Sequence, residues 1–439
     1  MMKKGKLLPA LISVTMLTGC TFGTNIDTLM APPKLSVEQE QIYSALTKAA
    51  GTSIKLKYPK SGTYLSAFIV EDIDGDGGNE AVVFYEKNGL TVEENTLRIN
   101  ILDKSDGKWS SVCDTTAEGS EIEKVMISKL GSDERVNLII GCSLINRSEK
   151  NVSLYNYSDG NIENTFTSPY SFFDVTDLDS DDENEFLLLT GASFNTNAAV
   201  EAYKFDENGK CPPYSRELSG NFTEFENISY GKTGSGATAL YIDAAAGNGI
   251  IQSDVFYMDD SGLNKVFAEP SESSATSRPS GCTSFDVDGD GIPEIPVQSI
   301  FKGYEGASES EQIMATDWMF INEEDQLEKK YSSYFSVTDG YIFILPEKWR
   351  DRITIKRDSV NDEMVFCKYS EEGAGRELLR IFCAEDKASR EDRMANGYML
   401  LHSKGETAYL AYVPPVPDTE SDGLSLSSGE VAVGFRYKE

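Results

Sequence analysis

Three short segments carry the chemistry this sequence offers. Asp72-Ile-Asp-Gly-Asp-Gly-Gly-Asn-Glu80, Asp177-Leu-Asp-Ser-Asp-Asp-Glu-Asn-Glu185 and Asp286-Val-Asp-Gly-Asp-Gly-Ile-Pro-Glu294 each place carboxylates at positions 1, 3, 5 and 9. Three aspartates two residues apart repel one another along a strand, so the backbone has to curl them around a cation. Calcium takes about six to eight hard oxygen ligands, and a loop can supply aspartate side chains, one backbone carbonyl and a closing acid. The carbonyl falls to position 7, which is Gly78, Glu183 and Ile292. Glycines at positions 4 and 6 of the first and third segments permit the positive φ of a tight loop. The second has Ser180 and Asp182 there. An EF-hand is excluded, because its closing acid belongs at position 12, occupied here by Val83, Leu188 and Val297.

Such loops need rigid flanks, and the flanks read as strands. Ala67-Phe-Ile-Val70 and Ala81-Val-Val-Phe-Tyr85 bracket the first loop. A strand-turn signature recurs through the middle of the chain, in Ile99 to Gly107, Leu154 to Gly160, Ala202 to Gly209 and Val255 to Gly262. A glycine-free copy runs from Trp318 to Gln326. The four glycines are spaced by 53, 49 and 53 residues. Asp-Gly between alternating runs is a hairpin signal, and a period near 50 residues with several strands per period fits a β-propeller blade. The expected fold is therefore mainly β, with a β-propeller of five detectable blades over residues 55–335. The acidic loops recur after 105 and 109 residues, once every second blade.

These loops resemble the calcium loops of FG-GAP/VCBS-type β-propeller repeats. The resemblance implies Ca²⁺ ligation by Asp72, Asp74, Asp76 and Glu80; by Asp177, Asp179, Asp181 and Glu185; and by Asp286, Asp288, Asp290 and Glu294. It implies a chiefly structural role for the ions. The chain departs from that family in lacking a Phe-Gly…Gly-Ala-Pro element, and its second and fourth repeats carry no acidic loop.

The ends of the chain have other signatures. Lys3, Lys4 and Lys6 precede the apolar stretch Leu7–Leu17, too short to span a bilayer. The stretch ends in Leu17-Thr-Gly-Cys20, which resembles the lipobox of bacterial lipoproteins. That implies a signal peptide over residues 1–19, a lipid on Cys20 and anchoring at the extracytoplasmic face of the cell membrane. A tether and a short helix over Ser36–Ala50 follow, with Ser36 as N-cap and Gln39 completing a capping box. Residues 336–439 read as a small α+β domain. Within it, Cys367 and Cys383 lie on strand-like runs around Gly373-Ala-Gly375, and a hairpin folding at Gly375 sets them opposite each other, as a disulfide or as two buried thiols.

Composition narrows the function. The 439 residues carry 72 Asp+Glu against 40 Lys+Arg, a net charge of −32, which argues against nucleic acid as a partner. The chain has one histidine, His402, so a histidine-rich metal site is impossible. No nucleophile elbow, P-loop or Cys/His cluster appears. The expected protein is a lipid-anchored, calcium-binding propeller without a catalytic residue, acting on a protein or a glycan as a binding module. The alternative is a polysaccharide-active enzyme, a glycosidase or lyase, supported by the calcium loops. Trp349 reads as a core residue or, less simply, as a ligand-stacking one.

Overall fold

A computed structural model of the chain describes residues 35–87, 97–144, 149–206, 209–308, 310–415 and 422–438. The expected signal segment, Cys20 and the expected tether before residue 35 lie outside them. The fold is mainly β. Five antiparallel meanders follow one another along the chain, a sixth multi-stranded sheet completes it, and Phe205–Asp206 with Gly209–Lys210 forms a separate two-stranded sheet.

The first meander comprises Phe68–Glu71, Glu80–Lys87, Arg98–Ser105 and Lys108–Thr116, with Ile54–Leu56 added beside the second strand. The second comprises Glu121–Leu130, Asp133–Ser143, Lys150–Ser158 and Asn161–Pro169. The third runs through Phe172–Thr176, Glu185–Thr190, Ala199–Tyr203 and Tyr214–Glu217, and the fourth through Phe225–Lys232, Thr238–Gly247, Ile250–Asp259 and Gly262–Lys265. In the fifth, the opening strand shrinks to a single bridge between Phe285 and Glu294, followed by Ile295–Ile300, Met314–Ile321 and Leu327–Ser336. Two of the expected turns close as tight hairpins: Asp106 and Gly107 have φ of 51° and 73°, Asp159 and Gly160 of 50° and 77°. Positive φ at both central residues matches the twist of the flanking strands.

Each sheet shares a core with the next. Val82, Phe84 and Ile99 meet Val125, Leu138 and Ile140, while Ile139 and Leu154, of opposite parity, meet Phe186 and Leu188 of the third sheet. Leu187, Leu189 and Val200 then meet Leu240, Ile242 and Phe256, and Tyr241 and Val255 meet Ile295 and Ile321. Strands covered on both faces lose the usual apolar/polar alternation, which is why Ala81-Val-Val-Phe-Tyr85 is an unbroken buried run.

The two ends of this series are covered by other elements rather than by each other. The helix Val37–Ala50 has the expected capping box, with Gln39 N–H donating to Ser36 Oγ and Ser36 N–H to Gln39 Oε1. Its Ile42 and Leu46 are fully buried against Phe68, Val83 and Tyr85, the first sheet's outer face. Each such side chain contributes about 1.5–3 kcal/mol by leaving water. At the other end, Phe301, Tyr341 and Phe343 pack on Ile355, Phe366 and Leu379 of the sixth sheet. Among the described residues no apolar cluster joins the first sheet to the fifth, so the expected closed propeller is corrected to an open series of sheets. The first face that would complete a ring is already occupied by the helix.

The C-terminal sheet is built from Ile353–Asp358, Glu363–Ser370, Gly373–Ala384, Thr407–Tyr412 and Met399–Lys404 in that order, with the helix Lys387–Ala395 beside it. The expected boundary at residue 335 falls inside the strand Leu327–Ser336. Tyr341–Ile344 and the C-terminal strand Phe435–Tyr437 extend the fifth sheet. The expected pairing of Cys367 with Cys383 is corrected as well. The hairpin turns at Glu371-Glu372, where Ser370 pairs with Gly373, and not at Gly375. Cys367 therefore faces Glu377, Cys383 faces Tyr409, and both thiols are free. Trp349 is fully buried with its indole N–H on the Leu424 carbonyl at 2.7 Å, a core residue. His402 stacks on Tyr437 with ring centroids 4.7 Å apart.

Candidate metal centres

The three acidic loops occupy one place in the repeat, between the first and second strands of the first, third and fifth sheets. Their internal bonding follows one plan. The position-1 aspartate folds the loop by accepting main-chain N–H groups: Asp72 from Gly75 and Gly77 at 2.6 and 3.0 Å, Asp177 from Asp181 and Asp182 at 3.1 and 3.0 Å, Asp286 from Gly289 and Gly291 at 2.7 and 2.8 Å. The position-9 glutamate accepts the N–H of position 2, from Ile73, Leu178 and Val287, at 3.0, 2.9 and 2.8 Å. Gly78, Glu183 and Ile292, expected to lend a carbonyl oxygen, donate their N–H to Asp76, Asp181 and Asp290 at 2.6, 2.9 and 2.9 Å. The glycine-free second loop adopts the same course, with Ser180 and Asp182 at φ of 64° and 68° where Gly75 and Gly77 have 81° and 88°. That is the left-handed region, which costs a side chain about 1–2 kcal/mol.

Within each loop carboxylate oxygens converge. Asp72, Asp74 and Glu80 form one group, Asp177, Asp179 and Glu185 a second, and Asp286, Asp288, Asp290 and Glu294 a third, with ligand atoms mutually within 4.8 Å. Calcium–oxygen bonds of about 2.3–2.6 Å place opposed ligands about 5 Å apart, so an all-oxygen set of this span suits a hard divalent cation. Asp76 and Asp181 fall outside their groups.

The electrostatics divide the loops. Glu80, Glu185 and Glu294 are buried. Burial, with the neighbouring aspartates, pushes Glu80 and Glu185 up to about 7, and Glu294 upward too. In the first loop Asp74 is also raised, by burial and by the charges of Asp76, Asp72 and Asp103. In the other two loops an aspartate is lowered, because a lysine is present. Lys204 Nζ lies 2.7 Å from Asp179, 2.7 Å from Asp181 and 3.5 Å from Glu185. Lys330 Nζ lies 2.8, 2.6 and 2.7 Å from Asp288, Asp290 and Glu294. Hydrogen bonding to Lys204 holds Asp181 below the usual carboxylate range; at Asp290 burial acts upward but Lys330 and the Ile292 N–H outweigh it. Burial alone would lower both lysines, yet the carboxylates hold them well above their ordinary value.

Neither lysine stands out in the sequence. Lys204 follows the third strand of its sheet, whereas Lys330 is the extra residue of a bulge in the fourth strand, between Lys329 and Tyr331 opposite Met319 and Trp318. The two come from different places in the repeat, so no periodic signal marks them.

Several clefts among the described residues join aromatic rings and carboxylates outside the loops, among them one of about 580 Å³ beside the C-terminal sheet. Its Glu363 is bound by Arg380, Arg393 and Tyr398, its Asp362 by Arg357, and its Asp339 by Ser336.

No known family model matches this chain, and no curated protein sequence matches it. Among solved structures it is similar to a rhamnogalacturonan lyase of Bacillus licheniformis, at 12% identity and a TM-score of 0.32 over 76% of this chain and 72% of that one. It is similar to an exotype rhamnogalacturonan lyase at 11% and 0.25, over 70% of this chain and 60% of that one. A functionally unknown protein from Desulfotomaculum acetoxidans gives 14% and 0.25, over 64% and 90%. With TM-scores below 0.5, these likenesses carry no argument about fold or chemistry.

Proposed function

We propose that this chain is an exported lipoprotein, anchored through Cys20 at the extracytoplasmic face of a cell membrane, whose acidic loops take calcium and whose sheets serve as a binding module for a protein or a glycan. The proposal includes the finer reading that the five meanders are propeller-type blades in an open series. The observation that carries it is the repetition of one carboxylate loop, with one hydrogen-bond plan, at one place in alternate sheets. Asp72, Asp74 and Glu80 would hold the ion in the first loop. The ion would supply the positive charge that three converging carboxylates lack, and would brace the first strand against the second. Calcium is favoured over softer metals because every converging side chain offers oxygen.

The test is a thermal melt of the full chain in detergent, with EDTA and then across a calcium titration. A midpoint that rises with calcium and barely with magnesium supports the reading. A midpoint indifferent to both removes the metal from it. The binding role is tested by comparing retention on immobilised glycans and membrane proteins with and without calcium; retention independent of calcium at every ligand would detach the loops from binding.

A further inference from the structure

We infer that the three loops are not three equivalent metal sites: Lys204 and Lys330 are built-in cations that close the second and third, leaving the first as the one loop open to a divalent ion. This rests on the calcium reading above and sharpens it from three ions to one.

A lysine ammonium carries three donors and no acceptor. In the third loop all three donors are used, on Asp288, Asp290 and Glu294, at 2.6–2.8 Å. The nitrogen lies within hydrogen-bond distance of three of the four converging carboxylates, the place a metal would take. In the second loop the ammonium bonds Asp179 and Asp181 but stands 3.5 Å from Glu185, whose Oε1 is fully buried with no hydrogen bond. The second loop is thus closed less completely than the third.

The first loop has no such group. No lysine or arginine pairs with Asp72, Asp74, Asp76 or Glu80 among the described residues. Glu80 is 3% exposed and spends Oε2 on the Ile73 N–H, and among the described residues no side chain or N–H donates to its Oε1. A largely buried glutamate with one oxygen lacking a donor, beside two further carboxylates and with no ammonium at hand, is an arrangement that a cation completes. The two sister loops show that the same set of carboxylates accepts one. An ion entering the third loop would have to expel an ammonium from three charge-assisted bonds; one entering the first expels only water.

The experiment is calcium stoichiometry by isothermal titration calorimetry with calcium chloride, on the full chain and on Lys204→Met, Lys330→Met and the double variant, each checked for fold by circular dichroism. One ion in the parent, lost in Asp74→Asn, and a second and third gained with successive lysine removal, is the expected result. Lys330→Gln, which keeps a donor without the charge, replaces Lys330→Met if the latter does not fold. Three ions in the parent would overturn the inference while leaving the calcium reading intact, as would a double variant that still binds one. No ion in the parent or in the double variant would overturn the calcium reading and the inference with it. A single ion insensitive to Asp74→Asn but lost in Asp288→Asn would place it in the wrong loop and overturn the assignment.

Discussion

The first acidic loop and the third share a sequence pattern, a hydrogen-bond plan and a place in their sheets, yet they meet the same electrostatic problem differently. Both bring carboxylates to within 4.8 Å of one another around a buried glutamate. In the third, a bulge in the fourth strand turns Lys330 into the cluster. The preceding sheet also reaches it, through the Lys232 N–H on the Gly291 carbonyl at 2.8 Å. The first loop belongs to the first sheet of the series, and among the described residues no meander precedes it and no lysine pairs with its carboxylates. Repetition thus supplies the shape of a loop, while each loop's neighbours decide whether its charge is balanced from within.

The largest contrast should come from the closing glutamates. In EDTA, Glu294→Ala strands Lys330 and the Val287 N–H and is expected to cost about 3 kcal/mol. Glu80→Ala loses one N–H bond but relieves repulsion, so it should cost less than half of that. Urea unfolding measures both; equal costs would break the comparison. Next, calcium at a hundred times its dissociation constant should add about 2.7 kcal/mol to the parent protein. That gain should vanish in Asp74→Asn and survive in Asp288→Asn, as thermal melts will show.

Smaller effects should differ in sign. Without calcium, Asp74→Asn removes a charge from an uncompensated group and should stabilise by about 0.5 kcal/mol, whereas Asp288→Asn weakens a bond to Lys330 and should destabilise by about 1 kcal/mol. The smallest effect concerns shape alone. Ser180→Gly relieves a positive φ and should stabilise by about 0.5 kcal/mol, while Gly75→Ala introduces that strain and should cost about 1 kcal/mol. A destabilising Ser180→Gly would mean that the second loop does not share the geometry of the first.

Much of this protein is legible in its sequence by itself. The loops, the helix cap at Ser36 and the turns at Asp106-Gly107 and Asp159-Gly160 were readable because each is held by bonds spanning a few residues, so residue type and spacing suffice. Tertiary structure decided the rest. The turn at Glu371-Glu372 separates Cys367 from Cys383, since a shift of hairpin register moves every cross-strand pair. The helix on the first sheet's outer face leaves the series open, because an apolar strand is equally content against a helix or another sheet. Lys204, just after a strand, and Lys330, within one, reach their carboxylates from elsewhere in the sheet, and such a lysine looks solvated until its neighbours are known. Local spacing determined where a cation could be held; long-range packing determined which of those places the chain fills with its own charge.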